Sequence, residues 1–135
     1  MRRRVAFAAL ACLALPAAAS ERPAQVLYML NCQGCHLPDG RGMSGKVPDM
    51  RGMLGKFLAV EGGREFIVRV PGTANSKLDD HDVVRLLNWL VPAMGAPAFK
   101  PYEADEVHAL RTQRLADVKG ERARLVAEIA AASKP

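Results

Sequence analysis

Cys32-Gln33-Gly34-Cys35-His36 constrains this chain more than any other stretch of it. Two cysteines separated by two residues and followed at once by a histidine have the spacing of covalent haem attachment. Each thiol adds to one vinyl group, and the adjacent imidazole then reaches the iron from the proximal side. A thioredoxin-like redox pair would want a βαβ pattern leading into the motif, and none precedes it. A zinc site would want two further ligands at suitable spacing, for which only His81 and His108 remain.

The third cysteine, Cys12, falls in a segment that reads as removable. Met1-Arg2-Arg3-Arg4 is positive, Val5 to Leu15 is apolar, and Ala17-Ala18-Ala19 offers small residues at a cleavage site. The apolar run is well short of the roughly 20 residues that span a bilayer. Cys12 lies inside that run, with Ala9 where a lipidation signal would want leucine, so a lipid anchor is not expected. Residues 1–19 are therefore predicted to be a signal peptide, and the mature chain to be exported to the periplasm without a membrane span.

The full chain has 19 Lys and Arg against 14 Asp and Glu, a net charge of +5. Three of those arginines belong to the export segment, so the mature charge falls to +2. The remaining basic residues are scattered and aromatic residues are few, which excludes a nucleic-acid footprint. What is left has the size of one ordinary domain.

Hydrophobic patterning predicts a first helix over 22–34, with Val26, Leu27, Met29 and Leu30 on a broad buried side and the cysteine motif at its end. Glycines at 40, 42, 45, 52 and 55, with Pro48, make 37–55 a loop that wraps the cofactor. Short helices are expected at about 53–60 and 63–69. Asp79 or Asp80 caps a further helix that Pro92 stops. Residues 92–102 read as an irregular connector. Beyond it Glu103, Asp105 and Glu106 crowd a helix start, where negative charge favours the exposed amides. Val107, Leu110, Val118, Leu125, Val126 and Ile129 form a partial apolar stripe through a segment expected to break at Gly120. Packing of this tail on the domain is the expected arrangement, with docking to a partner as the other.

Beyond the pentapeptide the chain resembles the class I cytochrome c family over about residues 22 to 91. Ala24 and Tyr28 stand eight and four residues before Cys32, where the family has a small residue and an aromatic. Leu86 and Trp89 stand in a segment similar to its last helix, and the resemblance implies that these two helices cross. Gly45-Lys46-Val47-Pro48-Asp49-Met50 resembles the loop in which a proline carbonyl accepts a hydrogen bond from the axial histidine, which gives that role to Pro48. Val70-Pro71-Gly72-Thr73 resembles the turn just before the distal ligand. The implied fold is all-α, a cytochrome c domain over 20–92 around one covalent haem c, followed by a helical C-terminal extension over 93–135. The implied site is Cys32 and Cys35 as tethers and His36 as proximal ligand.

The sixth ligand departs from the family pattern, because Asn75 stands where a methionine is usual. Asn75, a methionine from elsewhere such as Met94, and an open site all remain. Lys77 is a weaker nitrogen candidate; His81 and His108 read as surface imidazoles, and Met43, Met50 and Met53 as loop or packing residues. The expected function is one-electron transfer between a donor dehydrogenase and an acceptor cytochrome or oxidase, with no enzymatic activity of its own. The alternatives are a haem protein whose labile distal site binds O2, NO or peroxide, and the cytochrome subunit of a larger oxidoreductase.

Overall fold

The computed structural model describes residues 22–96 and 98–134. The predicted signal peptide and Cys12 lie outside the described residues, so the export expectation is not touched by the fold. Among the described residues the regular structure is helical, with one isolated antiparallel bridge between Met43 and Val47. No helix there is long and apolar enough to cross a membrane.

The first predicted helix is two. Helix α1 (Ala24–Asn31) ends at Cys32, whose φ of −123° turns the chain, and α2 (Gln33–His36) follows directly. The turn leaves the backbone bonded: the Cys32 amide donates to the Tyr28 carbonyl at 2.8 Å, and the Cys32 carbonyl accepts from Cys35 and His36. Leu37 then adopts a φ of 54°, a left-handed conformation that costs a non-glycine residue about 1–2 kcal/mol. The Tyr28 hydroxyl donates to the Leu37 carbonyl at 2.6 Å and holds it there. One face of α1, Leu27 and Tyr28, is buried, whereas Met29 and Leu30 are 53% and 61% exposed. The expected broad buried side is thus narrower, because α6 packs on one face of α1.

Helix α6 (Asp80–Ala93) buries Val83, Leu86, Leu87, Leu90 and Val91. Asp79 is its cap, accepting from the Asp82 amide at 2.7 Å. Pro92 does not stop the helix but lies in its last turn, where its missing N–H removes only one bond. The amides of Met94, Gly95 and Ala96 close the end instead. α1 packs on α6, and the Tyr28 and Trp89 rings meet at 5.8 Å with a 49° tilt. That is the crossing the resemblance implied.

Between these helices the glycine-rich loop runs to α3 (Leu54–Leu58), then α4 (Gly63–Arg69) and α5 (Pro71–Ala74) follow. Pro71 starts α5, where the absence of an amide hydrogen costs nothing. Gly42 lies so close to the next turn that a Cβ there would stand 1.8 Å from the Val47 carbonyl oxygen.

The tail packs on the same core through α7 (Ala104–Arg111) and α8 (Val118–Ala132). Tyr102, Val107 and Leu125 are fully or almost fully buried in one cluster with the α1 and α6 residues. The break falls at 112–117 rather than at Gly120. Asp117 caps α8 by accepting from the Gly120 amide at 2.8 Å, and the glycine leaves room for the carboxylate.

Arg64 fastens the connector. It donates to Glu106 at 2.5 and 2.8 Å and to the carbonyls of Lys100 and Pro101, while its guanidinium stacks 3.9 Å over the Tyr102 ring. The Arg64 bond holds the Glu106 carboxyl below the usual glutamate range. A carboxyl depressed by folding stabilises the fold above its ordinary pKa, and that contribution fades as pH falls through the depressed value. Denaturant midpoints measured at decreasing pH are expected to fall through the acid range, and less steeply in Glu106→Gln. An equal slope in both proteins would refute this contribution.

Candidate cofactor site

Helix α2 is the floor of a cavity of about 320 Å³, within the range of small-molecule and cofactor sites. Cys32 and Cys35, three residues apart on a helical turn, face the same side, and both line the cavity together with His36. Both cysteines are free thiols, Cys32 half-buried and Cys35 exposed. Burial, and secondarily the neighbouring Cys35, push the Cys32 thiol up, so it stays protonated near neutrality.

Burial also lowers the pKa of His36, against an upward pull from the Pro48 carbonyl and Asp49. The ring is therefore neutral at neutral pH, the form that ligates a metal. Its Nδ1 is buried without a hydrogen-bond partner. The Pro48 carbonyl pulls on the ring without making a hydrogen bond to Nδ1.

The rest of the wall is mostly apolar. Phe57 and Phe66 meet at 5.3 Å, and Leu86, Leu87 and Leu90 of α6 close one side. Met50 and Met53 come from the loop, Val70 to Thr73 and Ser76 from the α5 segment, and Val118 and Arg122 from α8. Two free thiols three apart, a neutral imidazole with an orphaned nitrogen and a largely apolar wall fit a covalently attached haem.

Neither Asn75 nor Met94 is among the residues that line this cavity. Asn75 is exposed from its place after α5, and its amide closes that helix on the Pro71 carbonyl at 3.0 Å. Met94 is buried, but its sulfur lies against Gly40, where an added Cβ would stand 2.2 Å from Sδ. It is committed to packing the loop onto the end of α6. Met50 and Met53, read from the sequence as packing or loop residues, are the methionines that reach the cavity. His81 is exposed, and His108 is 74% exposed and bonded to Asp80 at 2.8 Å, as surface imidazoles. Sequence reasoning did not place Val118 and Arg122 at the site, although their spacing of four puts both on one face of α8.

No family model matches the chain. Two curated relatives do, both named cytochrome c-552 and both from Thermus thermophilus. Each is 32% identical over 106 residues, covering 62% of this chain and 81% and 72% of the relatives respectively. The match is 106 residues long yet takes up only 62% of 135 residues, so this chain passes through it with fewer residues than its relatives. With the all-helical fold, the α1–α6 crossing and the thiol–imidazole cavity, these matches show that the chain belongs to the class I c-type cytochromes, with one covalently bound haem c.

Proposed function

We propose that this cytochrome is a periplasmic one-electron carrier that takes electrons from a dehydrogenase and passes them to a cytochrome or oxidase, and is no enzyme in itself. The observation that carries this reading is the convergence of Cys32, Cys35 and His36 on one apolar cavity. Cys32 and Cys35 would hold the haem by adding S–H across its two vinyl groups, an addition that consumes no oxidant. His36 would ligate the iron, and the Pro48 carbonyl that pulls on its ring would orient it, as a neighbour of a metal-bound histidine generally does. When bound, haem supplies a one-electron couple at its iron, whose potential the walls and axial ligands tune. Phe57, Phe66 and the α6 leucines exclude water from the couple. The purified protein is expected to retain one haem per chain after denaturation and to titrate reversibly with one electron; a chain that releases its haem on denaturation would overturn the assignment of both cysteines.

One observation favours a second reading. From the segment after α4 the residues that face the cavity are Val70, Pro71, Gly72, Thr73 and Ser76, and none carries a sulfur or an imidazole. An iron without a strong sixth ligand binds small molecules such as O2 or NO. Carbon monoxide added to the reduced protein tests this: a shifted spectrum makes ligand binding the leading function. An unmoved spectrum retains the carrier alone and leaves Met50 and Met53 as the ligands to separate by Met→Leu variants.

A further inference from the structure

Helix α8 belongs to the C-terminal extension, yet it packs on α3 and α4 and contributes Val118 and Arg122 to the cavity wall. The Arg122 guanidinium lies 6.0 Å above the Phe57 ring centroid and, among the described residues, forms no hydrogen bond or ion pair. Other arginines of the extension and of α4 are committed: Arg124 to Glu121 and Glu128, Arg111 to Asp80, Arg64 to Glu106. The other ionisable groups of the wall are also accounted for. Cys32 and Cys35 are the tethers and His36 the iron ligand, while Asp49 is bonded to Arg51 at 2.5 Å. Of the remaining charges on α3 and α4, Arg69 donates to the Gln113 carbonyl, and Lys56 and Glu65 do not line the cavity. Arg122 is thus a half-buried cation facing the cavity without an anion.

A haem carries its own anions. Its two propionates are carried on the pyrroles that bear no vinyl group, and they are anions that a cation on the cavity wall would neutralise. A guanidinium on such a wall makes strong, charge-assisted and often bidentate bonds to carboxylate. We propose that Arg122 binds a haem propionate, so that the extension completes the cofactor site rather than only covering the fold. This rests on the haem reading above. The salt bridge neutralises the propionate in both oxidation states, and removing it leaves an unscreened negative charge that favours ferric iron.

The test is the reduction potential of Arg122→Gln across mildly acid to neutral pH, with Arg124→Gln, two residues along the same helix, as charge control. Arg122→Gln is expected to lower the potential and to make it fall further as pH rises, because the propionate then titrates. Arg124→Gln is expected to match the parent protein. Equal potentials and pH profiles in Arg122→Gln and Arg124→Gln would overturn the proposal. If Arg122→Gln fails to load haem, Arg122→Lys decides: restored loading supports an electrostatic bond, and failure of both assigns Arg122 to packing on Phe57. A parent protein without covalent haem would instead overturn the haem reading itself, which the haem content of the parent reports separately.

Discussion

A Cys32→Ala, Cys35→Ala double variant is expected to lose its covalent haem and, with it, most of the helical circular dichroism and the cooperative melt. The two thiols line a cavity of about 320 Å³ that the walls of α3, α4, α6 and α8 enclose. Without the haem those apolar walls either face water or collapse inward, and a collapse would pull apart the helices whose buried side chains meet around the cavity. The apolar core that remains is thin for a domain this small. Far-ultraviolet circular dichroism and thermal melting of the variant beside the haem-loaded parent measure the effect. A native-like spectrum with a sharp melt in the haem-free variant would show that the polypeptide folds without its cofactor.

Replacing Arg111 by methionine is expected to destabilise the haem-loaded protein by about 2–4 kcal/mol, the range for breaking a largely buried, multiply bonded ion. The Arg111 side chain on α7 is 15% exposed and donates to Asp80 at 2.7 Å and to the Leu78 and Ser76 carbonyls at 2.9 Å each. It reaches the Ala74 carbonyl at 3.4 Å as well. One guanidinium from the extension therefore ties down the segment between α5 and α6, whose Ser76 lines the cavity. The bonds from His108 and then Arg111 hold the Asp80 carboxyl below its usual range. Methionine keeps the length of the chain and leaves those carbonyls without their donor. Denaturant unfolding gives the energy, and faster amide exchange between Ser76 and Asp80 than elsewhere locates it. A loss below about 1 kcal/mol would place this cluster among ordinary surface pairs.

Most of the local structure was legible because its causes are local. Glycines and Pro48 broke the 37–55 stretch, the short helices at 54–58 and 63–69 fell inside their expected ranges, and Asp79 capped α6. Most errors came where a distant partner decided. Met29 and Leu30 look like core residues in sequence and are exposed because α6 covers the other face of α1. One miss was local: Gly120 looks like a break, and Asp117, three residues before it, caps a helix there. Tyr102 attracted no notice in a Pro-containing connector, yet it is 2% exposed, donates to the Arg64 carbonyl and is held by Asn88.

The candidate site divides along the same line. The sequence by itself determined the chemistry of one side, because five consecutive residues set the positions of two thiols and an imidazole through helical geometry alone, with Pro48 on the loop that follows. Only the tertiary structure decided the other side. Asn75 and Met94 stand in plausible places along the chain, but α5 turns one to solvent and the loop around Gly40 takes the sulfur of the other. Met50, Met53 and Arg122 face the cavity instead, the last from a helix 86 residues beyond His36. No short-range rule reaches that far: which side chains meet across a cavity is set by how whole helices pack, and the burial of Val107 and Leu125 places α7 and α8.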